Sequence, residues 1–217
     1  MFRKIMILMI AFVCLLSVSC ISAADYNNDN DVVAVADAGT FTELNTVISS
    51  GGNISLTRDY IQTDSYGQIT INKDTNINGN GHTIDAKEKS RIFNITNGVN
   101  VTLKNINFIN GKAPLIGHEA EGGAIYTDSG SVTVINCTFN NNAAIESHQV
   151  GYGSGGAIYT YGGSVTVINC TFNNNTAVAG GAICSYDCSV TVSNSTFNNN
   201  TADDLGGAIF IGEGSVT

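Results

Sequence analysis

Charge is scarce in this chain of 217 residues. Lys, Arg, Asp and Glu together make up 12% of it, about half of what ordinary globular proteins carry. From residue 122 onward there is no Lys or Arg at all. The formal charge of −9 becomes about −11 once Arg3 and Lys4 are removed with the leader described below. An acidic chain without a basic patch is a poor nucleic-acid binder. After residue 24 no apolar run is long enough to cross a bilayer. The second half offers no ten-residue segment with helical spacing of apolar residues. Polar neutral side chains take the place of charge, as suits a surface of stacked Thr, Ser and Asn rows.

A repeat fills the second half. Gly-Gly-Ala-Ile stands at 122–125, 155–158, 180–183 and 206–209, and Ser-Val-Thr follows at 131–133, 164–166, 189–191 and 215–217. Three units continue through near-identical strands, Val132 to Phe139, Val165 to Phe172 and Val190 to Phe197, and each ends in Asn-Asn-Asn. The period is 33, then 25, then 26 residues. Fixed periods in this range mark solenoids.

Within a unit the apolar pattern has period two. In Ser164-Val165-Thr166-Val167 the valines face one way and Ser and Thr the other, which with β-branched residues throughout predicts strands. Gly pairs and Asn triplets punctuate them, because both residue types tolerate turn backbone angles. Identical units should stack, Val165 over Val132 and Val190 over Val165. Phe139, Phe172 and Phe197 should form an internal column, and Ala124, Ala157, Ala182 and Ala208 another. Asn136, Asn169 and Asn194 should form a ladder at a corner. One coil buries too few side chains to offset its own ordering entropy, so stacking is obligatory.

The chain before the repeats reads in order. Met1 to Lys4 is basic, Ile5 to Ser19 apolar, and Ser22-Ala23-Ala24 small, which predicts a secretory signal peptide over residues 1–24. Cys20 raises the alternative of a lipoprotein leader, which Ser17-Val18-Ser19 fits poorly. Residues 25–39 read as a flexible acidic lead-in. Phe41, Leu44, Val47 and Ile48 have helical spacing, with Thr42 as N-cap, and predict a short helix that caps the open end of the solenoid. Strands are expected at Asn53 to Leu56, Ile69 to Asn72, Ile77 to Asp85, Ile92 to Ile95 and Val101 to Phe108. The last aligns with Val132 to Phe139, so the early coils are divergent members of one stack occupying 40–217. Gly111 to Glu121 and Ala143 to Ser154 read as insertions at corners, the usual places for binding. Thr217 falls inside a strand pattern, which predicts further coils downstream.

Gly-Gly-Ala-Ile with Phe172-Asn-Asn-Asn-Thr-Ala177 resembles the repeats of polymorphic outer-membrane proteins. The leader, the Phe41–Leu44 helix and Ile77 to Asp85 resemble the adhesin-like surface proteins of methanogenic archaea. The resemblance covers about residues 40–217. It implies a secreted, right-handed parallel β-helix, all-β, in coils of about 25 residues, held at the cell surface by C-terminal attachment modules. No such module is recognisable in this chain, and the sequence leaves the anchoring route open.

Candidate chemistry is thin. Ile77 to Asp85 is similar to an early coil of β-helix enzymes such as pectate lyases and polygalacturonases, where it is structural. Acid/base work on a sugar needs clustered carboxylates with basic partners, and Asp203-Asp204 is one acidic pair without them, read as a solvated corner. His118, Glu119 and Glu121 lie in one insertion and His148 in the other, a weak metal set even if the loops stack. His82 is expected at a corner beside Asp85. Cys137 and Cys170 share a repeat position that Ser195 fills in the next coil, so they read as small filler side chains, although a bridge between stacked strands is within reach. Cys184 and Cys188 are spaced to staple a turn. A secreted protein favours disulfides, a prior that the anaerobic habitat implied by the resemblance weakens. Sequons stand at Asn53, Asn94, Asn100, Asn136, Asn169, Asn174, Asn194 and Asn199, with Asn174 and Asn199 in outer turns as the better acceptors and Asn136, Asn169 and Asn194 inward or laddered. No catalytic, cofactor-binding or metal-binding residue is assigned, and no cofactor is expected. The expected protein is a secreted surface adhesin, non-catalytic, with glycans or components of other cells as partners. The alternatives are a pectate-lyase-like polysaccharide-degrading enzyme and a purely structural stalk.

Overall fold

The computed structural model describes residues 38–96, 98–116, 119–145 and 152–217. The leader, nearly all of the acidic lead-in, His118 and His148 lie outside the described residues. What the strands build is a parallel β-helix. The strands form three sheets, of seven, eleven and six strands among the described residues, and the first strand of the six-stranded sheet is Leu115–Ile116. All strand pairs are parallel except Leu115–Ile116 with Glu119–Glu121.

The period-two pattern sets the core. Val101, Val132, Val165 and Val190 stack in register and all point inward, as do Leu103, Val134 and Val167 one step along. The phenylalanine column runs deeper than the repeats alone imply. Phe108, Phe139, Phe172 and Phe197 stack at 4.8, 4.6 and 4.7 Å with planes 14°, 3° and 3° apart. These distances equal the strand spacing of a sheet, so each ring rides on its own strand. Phe93 closes the column edge-on at 5.7 Å. Ala124, Ala157 and Ala182 are fully buried and Ala208 half-buried.

The helix is Phe41–Ile48. Its N-cap is Thr40, not Thr42. The Thr40 hydroxyl accepts from the Glu43 backbone N–H, and the Glu43 carboxylate accepts from the Thr40 N–H. This reciprocal box satisfies two orphan donors, which a cap at Thr42 would leave open. Phe41, Leu44 and Ile48 join the main core, whereas Val47 faces outward, 39% exposed.

Two kinds of corner recur. The first kind passes through asparagines in left-handed conformation at both ends of the phenylalanine strand: Asn105, Asn136, Asn169 and Asn194 before it lie at φ 48–54°, and Asn141, Asn174 and Asn199 after it at 51–56°. Asn tolerates this region at low cost. The expected ladder of Asn136 and Asn169 exists, with Asn169 Nδ2 donating to Asn136 Oδ1 at 3.2 Å and Asn136 Nδ2 to Asn105 Oδ1 at 3.3 Å. These residues are exposed, however, so the ladder is a surface row.

The buried ladder uses the last asparagine of each triplet: Asn142, Asn175 and Asn200. Asn175 Oδ1 accepts from both the backbone N–H and the Nδ2 of Asn142, each at 3.0 Å. Asn200 does the same for Asn175, at 3.1 and 2.9 Å. The Nδ2 of Asn175 also donates to the Phe139 carbonyl at 3.0 Å. One amide thus closes the orphan groups of a turn and ties it to both neighbouring coils.

Both insertions are partly regular. Ala143–Ala144 and Tyr152–Ser154 belong to the six-stranded sheet, and Thr176–Ala179 spans both positions in the next coil.

A crease along the glycine corners

The second corner is the Gly-Gly of each repeat, and its geometry needs glycine twice. The first glycine of each pair sits at φ 62–67° (Gly122, Gly155, Gly180, Gly206). A Cβ there would meet the carbonyl oxygen three residues on, at 2.1–2.4 Å. The second glycine is squeezed between coils. A Cβ on Gly123 would lie 2.2 Å from the Gly156 oxygen, and one on Gly156 2.1 Å from the Gly181 oxygen. The backbone folds sharply inward here because no side chain holds it open.

A sharp inward fold brings outward side chains of two sheets face to face. On one wall the residue before the pair points out: Glu121, Ser154, Ala179 and Leu205 in register. On the other stand Tyr126, Tyr159, Cys184 and Phe210, and beyond them Asp128, Tyr161 and Tyr186. The result is a crease parallel to the solenoid axis. One cavity of about 370 Å³ is lined by Glu119, Glu121, Tyr159, Tyr161, Tyr186 and Asp204, among others. A neighbouring one of about 360 Å³ shares Glu119 and Glu121 and adds Arg91, Tyr126 and Asp128.

Aromatic rings run along the crease. Tyr126 stacks on Tyr159 at 5.6 Å and 13°, Tyr186 meets Tyr159 at 6.2 Å and 49°, and Phe210 meets Tyr186 edge-on at 5.7 Å. Tyr161 is 49% exposed. Arg91 is only 3% exposed and lies 4.8 Å from the centre of the Tyr126 ring. Its guanidinium donates to the Glu121 and Gly122 carbonyls and, at 2.7 Å, to Gln68 Oε1. Burial pulls Arg91 down to about 10, the Glu121 charge opposing the shift. Burial also raises the Glu121 carboxyl, against the hydrogen bond it receives from Tyr159. The Tyr159 hydroxyl is pushed up strongly by burial and by the Glu121 charge.

Several candidates from the sequence end elsewhere. Asp203 and Asp204 are exposed in the strand Thr201–Leu205 rather than at a turn, and Asp204 faces the crease. Among the described residues no group of three His, Cys, Asp or Glu is placed to hold a metal. His82 Nδ1 pairs with Asp59 Oδ1 at 3.1 Å, not with Asp85. Asp85 is buried and takes the backbone N–H and Nζ of Lys87 and the Asn110 amide.

All four described cysteines are free. Cys170 Sγ accepts the Cys137 N–H at 3.4 Å, and Ser195 Oγ accepts the Cys170 N–H at 3.0 Å in the same place, so thiol and hydroxyl do the same job. The hydrogen bond to Cys170, then burial, drive the Cys137 thiol upward. Cys184 and Cys188 do not staple their turn. Asp187, at φ 53°, breaks the alternation between them. Cys184 therefore packs outside with Tyr159 and Ala179, its thiol pushed up to about 12 by burial, while Cys188 Sγ lies 3.4 Å from the Thr160 hydroxyl.

Residues 136–161, 169–186 and 194–212 match the family model of the Chlamydia polymorphic membrane protein repeat. These three stretches are similar to that repeat. Each match starts at a left-handed corner asparagine and runs through the phenylalanine strand, the buried asparagine and the Gly-Gly corner to the aromatic wall. The repeat is thus the structural unit of the crease, and the matches together span less than a third of the chain. No curated protein and no solved structure matches the chain.

The insertions, where the sequence placed binding, supply Glu119, Glu121, Gly153 and Ser154 to the crease, but the sequence reading did not find the aromatic wall opposite them. The usable signal was Tyr126 and Tyr159 one residue after Gly-Gly-Ala-Ile, with Tyr161 two further on.

Proposed function

We propose that this protein is a secreted, non-catalytic surface protein of the adhesin type, exported by the leader over residues 1–24, that attaches to glycans or to components of other cells. The observation that carries this reading is the set of stretches similar to the polymorphic membrane protein repeat on a β-helix whose backbone repeats while one crease varies in side chains. A scaffold of this kind presents a long, rigid face to a partner. The resemblance of the leader, cap helix and Ile77 to Asp85 to adhesin-like surface proteins of methanogenic archaea supports the same assignment. The non-catalytic reading is supported by the commitment of Arg91, the cation of the crease, to backbone carbonyls and Gln68.

The test is attachment. Beads coated with the protein are offered to a panel of cells and polysaccharide surfaces, and the same polysaccharides are assayed for new chain ends. Attachment without turnover is expected. Depolymerisation would replace the reading with the β-helix enzyme, and failure to attach to any surface would leave only the structural stalk.

A further inference from the structure

The crease has a chemical character of its own. Its exposed carboxylates are Glu119, Asp128 and Asp204, with Glu121 half-buried among them. Arg91 faces this set, but its donors are taken by protein acceptors and it is almost fully covered. Among the described residues no other Lys or Arg lines either cavity. The field in the crease is therefore negative. Between its carboxylates lie the rings of Tyr159, Tyr161 and Tyr186.

We infer that this crease binds neutral or amine-bearing glycan chains, and that it excludes polyuronates and sulfated glycans; the inference rests on the adhesin reading above. A sugar ring has an apolar face of C–H bonds and an edge of hydroxyls. Tyrosine rings take the face, as aromatic side chains do wherever a ligand is part apolar and part polar. Carboxylates accept from the hydroxyl edge in charge-assisted hydrogen bonds, and a protonated amine adds a charge partner. A carboxylated or sulfated chain would bring like charge against four acidic groups in a partly enclosed site, where such repulsion is poorly screened.

The two cavities have the size of ligand sites. Because they share Glu119 and Glu121 and lie along the axis, they form one elongated site. The register of its wall residues rises by one strand spacing per coil, so the occupant is an oligosaccharide rather than a single sugar. The site takes Glu119, Glu121, Gly153 and Ser154 from the two insertions where the sequence placed binding, and its aromatic rings from the strands beside them.

Titration calorimetry of the protein with three hexamers tests this: chitohexaose (neutral), the chitosan hexamer (cationic) and oligogalacturonate (anionic). Saturable binding of the first two and none of the third is expected. Tyr161→Ala and Glu119→Gln change exposed side chains, so the fold survives, and each should weaken binding about tenfold, the loss of one central contact. Asp203→Asn, beside the crease but not lining it, should leave binding unchanged. Equal or tighter binding of oligogalacturonate, binding untouched by Tyr161→Ala and Glu119→Gln, or no binding of any hexamer would overturn the inference. Cell attachment by a protein that binds no hexamer would fail this site while leaving the adhesin reading intact.

Discussion

Two of the tight turns of each coil, the corner of the buried asparagine and the glycine corner, treat side chains in opposite ways. At the asparagine corner the side chain is the structure. Asn142, Asn175 and Asn200 satisfy the turn's backbone and link three coils. At the glycine corner the absence of a side chain is the structure, and the fold that results leaves the neighbouring outward positions free to differ. Across coils the first corner keeps the same residues, whereas the walls of the second read Glu121, Ser154, Ala179, Leu205 and Tyr126, Tyr159, Cys184, Phe210. Repetition secures the scaffold, and variation within the chain marks the surface available for recognition.

The comparison breaks most visibly at Gly156. A Cβ there would stand 2.1 Å from the Gly181 oxygen and 2.7 Å from the Thr176 nitrogen, both backbone atoms. Neither moves without separating two coils, so Gly156→Ala should cost about 4 kcal/mol or more. Gly67→Ala, with open space around it and an ordinary φ, should change little. Urea unfolding of the two variants measures the contrast. Similar midpoints would mean that the corner is not held by backbone approach.

At the other corner, Asn175→Ala removes the amide that accepts two donors of Asn142 and reaches the Phe139 carbonyl. Several buried groups lose partners at once, at about 1–3 kcal/mol for each orphan less relaxation, so a loss of about 3 kcal/mol is expected. Asn174→Ala changes only an exposed left-handed residue one position earlier. It should cost about 1 kcal/mol, the strain of a Cβ residue in that region. If the two losses were equal, the ladder would carry no weight beyond turn geometry.

The same two corners explain how far the sequence could be read. The columns Val132–Val165–Val190 and Phe139–Phe172–Phe197 were legible because identical residues at a fixed period can only stack in register. The choice of asparagine was not, because all three members of each triplet look alike. Which of them turns inward depends on where the left-handed residue falls, and Asn141, Asn174 and Asn199 take that place. The N-cap was misplaced for a related reason: Thr40 and Thr42 are both competent caps, and only the reach of Glu43 back to Thr40 decides. The crease was hidden because its walls come from two strands of one coil and from neighbouring coils. Glu121 and Tyr159 lie 38 positions apart in sequence and meet only after stacking. Asp59 and His82 met unseen in the same way, across adjacent coils.

The smallest expected effect sits on the crease wall and bears on why it varies. Burial raises the Glu121 carboxyl above its ordinary value, so the folded protein keeps that proton to higher pH than the unfolded chain does. Folding is therefore penalised once pH passes the ordinary carboxylate range and Glu121 must ionise, and the penalty is absent in acid, where both states hold the proton. Glu121→Gln keeps an oxygen for the Tyr159 hydroxyl and removes the charge. The variant should melt higher than the parent at pH 7, by about 2 °C or less for a chain of this size, and equally at pH 3. It should also bind the neutral hexamer more weakly, since an amide oxygen is a poorer acceptor than a carboxylate. A gain in stability with a loss of binding is the signature of a residue kept for recognition at the expense of the fold. A variant that lost stability at neutral pH would instead make Glu121 part of the scaffold, and the division between the two corners would no longer hold.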